Sequence, residues 1–326
     1  MNTIFKNRRV ISLLLSATLF LSACAPAAVT SAPTAANTSP TTANPAPTNP
    51  PASAGSIKIG SKDFTEEFIV AEMYAQLLEK AGFTVERKLN LGGTPIAQTA
   101  IVNGDIDLYP EYTSTGLLTV LKMQPIQDPN QIFAAVKKGY EDQFKLTWLQ
   151  SSPFNDTQAL AMTQAVSDQY GIKTYSDLSQ KASSLVLGGP AEFIDREDGI
   201  KGLQKAYGGF QFKDIKQLGT GSLRYQALLD KQVDVVVAFG TDGAIKGNNL
   251  VLLKDDKIFY PVYNVAPVVR QDTLLKYPKI ADVLNKLAPM LTDDVMSGLN
   301  WQVDGPDKKE PAAVAKAFLQ QNGLLP

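Results

Sequence analysis

Apolar positions change period along this chain, and each change marks an element. Ile57 to Ser61 reads as a buried strand. Asp63 with Glu66 then predicts a capping box at the start of a helix. Ile69, Met73 and Leu77 recur at four-residue steps beside Val70, Tyr74 and Leu78, which gives that helix one broad apolar face. Lys80 falls in its last turn, and Gly82 can close it. Thr84 to Leu91 alternates like a strand. Thr94-Pro95 places a proline at the first position of a second helix, which Gly104 ends. Ile106 to Tyr109 is a further short strand. This β-α-β-α-β order predicts an α/β fold with a largely parallel sheet and helices on both faces.

The same pattern returns later. Leu91-Gly92 through Gly116 lies on Leu218-Gly219 through Gly243 at one offset without gaps. Ile106, Asp107 and Leu108 fall on Val233, Asp234 and Val235, and Tyr112 falls on Phe239. Any helix–turn–strand unit shares part of this pattern. The matched Leu-Gly, Asp, aromatic and Gly positions favour two similar lobes. Open α/β sheets bind ligands outside the carboxyl ends of their strands. The repeat therefore predicts Tyr112 and Phe239 on either side of a shared cleft.

Composition changes the picture at the N-terminus. Lys6, Arg8 and Arg9 precede an apolar run from Val10 to Leu21, and Leu21-Ser22-Ala23-Cys24 follows. This order predicts a signal peptide over residues 1–23 with Cys24 as a lipidated N-terminus; the run is shorter than a membrane span requires. An uncleaved anchor helix and a plain cleavage site with an incidental cysteine are the competing readings. Residues 24–56 are dominated by Pro, Ala, Thr, Ser and Asn and carry no charge. Such a segment does not bury enough apolar surface to fold, and it reads as a tether or a glycosylated stalk.

Cys24 is the only cysteine, and the chain has no histidine. That excludes disulfides, Cys- or His-based metal sites, thiol nucleophiles and Ser-His triads. No phosphate-binding glycine motif is present. Without Lys6, Arg8 and Arg9, 28 basic residues face 32 acidic ones, a net charge near −4 that gives no basic face for nucleic acid. The paired carboxylates Asp105/Asp107 and Glu66/Glu67 are explained by turns and packing rather than by catalysis. No cofactor or metal is expected. Tyr112, Phe239 and Tyr263 each lie where a strand ends or the chain crosses between lobes. Aromatic faces of this kind bind quaternary ammonium groups, which have no N–H to donate.

Two long motifs then carry a family resemblance. They are Ile59-Gly60-Ser61-Lys62-Asp63-Phe64-Thr65-Glu66 and Asn103-Gly104-Asp105-Ile106-Asp107-Leu108-Tyr109-Pro110-Glu111-Tyr112-Thr113. Glu192-Phe193, Arg196-Glu197-Asp198-Gly199, Phe239-Gly240-Thr241-Asp242-Gly243 and Tyr263-Asn264-Val265-Ala266-Pro267 continue it. From Ser56 to its end the chain resembles the substrate-binding proteins of osmoprotectant ABC importers, the quaternary-amine uptake family. The resemblance implies a type II periplasmic-binding-protein fold. Lobe I would comprise residues 57–158 plus 264–326 and lobe II residues 159–263, with crossings near Asn155–Ala159 and Tyr263–Pro267. It also implies an aromatic cage from Tyr112, the position of Gln158, Phe239 and Tyr263, and a carboxylate-binding group of Lys62, Thr115 and Arg196. Family members usually carry Tyr at the positions of Gln158 and Phe239. Phe239 keeps the ring; Gln158 replaces a cage wall with donors and acceptors, which points to a ligand with an additional polar group, such as carnitine, choline or a histidine-derived betaine. The partners implied are that small ligand, a membrane permease and the lipid anchor, with the protein itself a monomer. A sensory ligand-binding module and an exported hydrolase are the alternatives.

Overall fold

The computed structural model describes residues 54–326. The signal peptide, Cys24 and the tether up to residue 53 lie outside the described residues. Ser56 already begins the first strand, and the Ala54 amide donates to the Gly82 carbonyl at 2.9 Å. Residues 54–56, read from composition as the end of the tether, thus already bond with the fold.

Among the described residues, ten strands form two five-stranded sheets. The first contains β1 (Ser56–Gly60), β2 (Thr84–Lys88), β3 (Leu108–Tyr112), β4 (Leu146–Trp148) and β10 (Val265–Arg270), in the order β2-β1-β3-β10-β4. The second contains β5 (Gln158–Met162), β6 (Val186–Gly189), β7 (Asp214–Gln217), β8 (Val235–Phe239) and β9 (Val251–Leu252), in the order β7-β6-β8-β5-β9. This is the mixed α/β, two-sheet architecture of the type II periplasmic-binding-protein fold. In each sheet the strands run parallel except one. β10 is antiparallel to β3 and β4, and β5 is antiparallel to β8 and β9. The reversed strand is in each case the one by which the chain enters from the other sheet. The first passage lies between β4 and β5. The second lies between β9 and β10 and is complete at Val265, inside the span Tyr263–Pro267.

The two sheets repeat one another down to single side chains. Asp107 and Asp234 each accept a hydrogen bond from the adjacent parallel strand of their sheet: the Lys58 amide at 2.7 Å and the Val186 amide at 2.8 Å. Their own amides return the bond to the Lys58 and Val186 carbonyls. At the strand ends, Tyr112 pairs with Val265 and Phe239 with Gln158.

Burial follows the periodicities. Ile69, Val70, Met73, Tyr74, Leu77 and Leu78 of the helix Thr65–Lys80 are all buried. β3 is buried along its whole length, as a strand covered on both faces must be. The helix Thr94–Asn103 ends in Gly104 at φ 79°, the left-handed conformation that glycine adopts without penalty. One sequence expectation fails. The residue before the helix Thr65–Lys80 is Phe64, with no side-chain cap, so the Asp63–Glu66 box does not form. Glu66 is drawn away by Tyr112, Thr241 and Asn300, three buried donors that an exposed cap does not compete with.

The helix Asp293–Asp304 joins the two halves. It packs against the short helix Gly243–Gly247, where a Cβ on Gly243 would lie 2.6 Å from Trp301 Cβ and 2.7 Å from the Ser297 carbonyl oxygen. We predict that Gly243→Ala destabilises the protein by about 1–3 kcal/mol through overpacking. Chemical denaturation checks this, and wild-type stability in the variant would mean that the helix yields at no cost.

Candidate functional site between the two sheets

The loops leaving β1, β3, β6 and β8 converge on one cavity of about 430 Å³, counting its mouth. Lys62, Tyr112, Thr115, Gln158, Arg196, Phe239 and Tyr263 all line it. The structure therefore brings together all seven residues singled out from the sequence. Tyr112 and Phe239 are the last residues of β3 and β8, as the repeat requires.

Phe64 is a ring that sequence reasoning did not select. Its centroid lies 5.9 Å from Phe239, nearly parallel at 20°, and 6.0 Å from Tyr112. Tyr112 and Phe239 thus do not simply face each other; Phe64 stands with both. Cations of the protein already lie on two of these rings. Lys62 Nζ sits 4.7 Å from the Tyr112 centroid, and the Arg224 guanidinium 5.1 Å from that of Phe239. Arg224 is buried and donates to the Val237 carbonyl at 2.7 Å, the Gly221 carbonyl at 2.9 Å, and Asp242. It lies in the helix Leu223–Leu229, where an arginine ordinarily reads as solvent-facing.

The basic residues are heavily paired within the protein. Lys62 Nζ lies 2.6 Å from Glu111 and 3.7 Å from Glu67. Burial pushes the Lys62 ammonium down, but the two glutamates more than offset this and leave it above its ordinary value. Burial drives Glu67 the other way, up to about 8, with Lys62 opposing. Arg196 forks onto Asp198 through Nε at 2.7 Å and Nη2 at 2.6 Å, and reaches Glu192 through Nη1 at 3.2 Å. Three of its five N–H donors are spent and two remain. Burial would raise Asp198, but Arg196 beside it holds it below the usual carboxylate range. Asp198 Oδ2 also accepts from Gln158 Nε2 at 2.7 Å and from the Tyr263 hydroxyl at 2.7 Å. One carboxylate thereby positions three cavity residues. Thr115 is buried against the cavity at the end of the short helix Thr113–Thr115.

Behind Tyr112 lies a second carboxylate group. The Tyr112 hydroxyl donates to Glu66 Oε1 at 2.7 Å. The Thr241 hydroxyl lies 2.5 Å from Glu66 Oε2 and 2.7 Å from Asp156 Oδ1, and Asn300 Nδ2 donates to Glu66 at 2.9 Å. A hydroxyl has one proton, so Thr241 donates to only one of two carboxyls. The other must carry a proton and donate in return. Burial accordingly pushes Glu66 up to about 7 and raises Asp156 well above its ordinary value.

Residues 55–321 match the family described as the substrate-binding domain of ABC-type glycine betaine transport systems. The carnitine transport binding protein OpuCC of Listeria monocytogenes is 37% identical over 316 residues, covering 96% of this chain and 95% of that protein. The ergothioneine transport permease/ergothioneine binding protein EgtU of Helicobacter pylori is 37% identical over 267 residues, covering 82% of this chain and 47% of that protein. A crystal structure described as a glycine betaine/carnitine/choline ABC transporter superposes with a TM-score of 0.66 at 32% identity, over 82% of this chain and 99% of that one. Fold and cavity define a two-lobed solute-binding protein. The chain belongs to the substrate-binding family of glycine betaine-type ABC importers.

The protonated carboxyl has a thermodynamic sign. Glu66 ordinarily titrates at 4.5 and here at about 7, so the folded state holds its proton more tightly than the unfolded one. Its contribution is fully present below about pH 4.5 and is lost as pH rises through 7. Stability is therefore expected to fall between pH 5 and 8, and Glu66→Gln, which cannot titrate, to flatten that slope. Urea titrations across this range check it; an unchanged slope in a folded variant removes Glu66 from the account.

Proposed function

We propose that this chain captures a small quaternary ammonium compound, of the glycine betaine, carnitine and choline class, and delivers it to a membrane permease. The single observation that carries this reading is the convergence of Tyr112, Phe239 and Tyr263 on one small cavity with Lys62, Arg196 and Thr115. A trimethylammonium group gains about 0.5–2 kcal/mol from each aromatic face it touches. Phe64 joins Tyr112, Phe239 and Tyr263 as a ring of the cage. The remaining N–H donors of Arg196 and Lys62, with the Thr115 hydroxyl, serve a ligand carboxylate. Asp63 and Glu192 at the same cavity add acidic groups that favour a cation.

The two sheets support the division into lobe I, residues 57–158 plus 264–326, and lobe II, residues 159–263, except that Gln158 pairs in the second sheet and belongs with lobe II. The lobes close over the ligand in proportion to its greater affinity for the closed form. No enzymatic step is assigned to the site. We further propose that the protein acts outside the cytoplasm as a monomer. Its anchor is the lipidated Cys24, and the tether, read from composition as residues 24–56 but ending before Ala54, holds the folded part away from the membrane. Lys6, Arg8, Arg9, the apolar run and the small residues before Cys24 support that arrangement. Among the described residues no helix is long and apolar enough to cross a membrane. At Gln158 the cage gives way to an amide, and the ligand class narrows to compounds with a further polar group.

Calorimetric titration with glycine betaine, carnitine, choline and a histidine-derived betaine tests the reading. Tyr112→Ala and Arg196→Ala are each expected to weaken binding about tenfold or more, the equivalent of roughly 1.4 kcal/mol. Unchanged affinity in a folded double variant would overturn the site assignment, and glycine betaine as the tightest ligand would overturn the role given to Gln158.

A further inference from the structure

Gln158 is the first residue of β5, buried on the wall of the cavity. Its backbone is fixed by pairing with Phe239. Its side-chain orientation is fixed by charge. Nε2 donates to Asp198 Oδ2 at 2.7 Å, and Asp198, held ionised by Arg196, is an acceptor only. Turning the amide over would set its carbonyl oxygen against a carboxylate oxygen at hydrogen-bond distance, a repulsive contact. The Tyr263 hydroxyl gives its one proton to the same Asp198 oxygen, so it has none for Gln158. The Gln158 carbonyl oxygen therefore accepts nothing from any described residue, and it is not among the sealed, unpartnered polar atoms of the interior.

We infer that Gln158 Oε1 is a ligand-facing acceptor, and that the site selects quaternary ammonium compounds bearing a hydroxyl or N–H donor beside Gln158. This rests on the quaternary-ammonium reading and sharpens it from a polar group of either kind to a donor. A methylated ammonium offers no N–H, and a glycine betaine molecule has no donor anywhere. Closing the cavity over such a ligand leaves a buried carbonyl unsatisfied, whereas a carnitine or choline hydroxyl, or a ring N–H of a histidine-derived betaine, satisfies it. Discrimination by a missing donor is larger than discrimination by size, because the site's own polar group is stranded.

Matched pairs isolate the donor. The full chain would be titrated calorimetrically with carnitine against its deoxy analogue γ-butyrobetaine, and with choline against O-methylcholine. In the first pair the whole hydroxyl is lost; in the second the oxygen stays and a methyl replaces its proton, so the loss common to both pairs is the donor. The donor-bearing member is expected to bind about tenfold tighter or more. Gln158→Leu is expected to bring the ratio near one, mainly by weakening the donor-bearing member. Equal affinities within the pairs in wild type would overturn this inference and leave the quaternary-ammonium reading standing. Failure of all these compounds, glycine betaine included, to bind would overturn the reading beneath it. Should Gln158→Leu not fold, the wild-type ratios decide alone.

Discussion

The buried carboxylate of Asp198 is the contact on which the cavity depends. A carboxylate removed from water is costly unless donors replace the water. Here the donors are the guanidinium of Arg196, the amide of Gln158 and the hydroxyl of Tyr263. They come from the loop after β6, the start of β5 and the second passage between sheets. One charge thus holds three pieces of chain at one place. The requirement also works in reverse: Arg196 is not a free cation awaiting an anion, because most of its donors are committed. What it offers a ligand is two N–H groups in a fixed plane, a sharper and weaker demand than a bare positive charge.

Much of the frame was legible in the sequence, since it rests on local periodicity and on repetition. Asp107 and Asp234 fall at one offset because each clamps the neighbouring strand of its own sheet in the same way. Tyr112 and Phe239 fall at that offset because both end the strand that faces the cleft. The charge partners were not legible. Lys62 meets Glu111 and Arg224 meets Asp242 only after sheet pairing and helix packing bring them together, and a charge in sequence carries no mark of its partner. Phe64 was passed over for a related reason: the polar pair Asp63 and Glu66 gave a sufficient local account of the helix start. That account failed when Glu66 found buried donors.

The rings and the carboxyls form one electrostatic assembly. Lys62 lies on Tyr112, whose hydroxyl donates to Glu66; Arg224 lies on Phe239 and pairs with Asp242, which also accepts from the Phe239 amide at 2.8 Å. Each lobe therefore supplies a ring with a cation on one face and an acid at its edge or backbone. The protein cation fixes the ring's plane while its counter-acids limit the local positive charge. A ligand cation arriving at the remaining faces meets rings that are already oriented, and little ordering cost is left to it.

The contacts across the cleft are of a kind that a ligand can outweigh. Thr241 reaches Glu66, Asn300 reaches the Thr241 carbonyl at 3.0 Å, and Thr220 reaches the Asp63 carbonyl at 3.2 Å. Each is a single hydrogen bond, worth about 0.5–1.5 kcal/mol net because water replaces it on opening. Apolar packing also bridges the halves, where Trp301 of the helix Asp293–Asp304 lies against Gly243 and Gly247. A ligand that touches both lobes favours a closed form only by its greater affinity for that form. Burial raises both Glu66 and Asp156, so the proton shared through Thr241 depends on the two carboxyls staying in the interior.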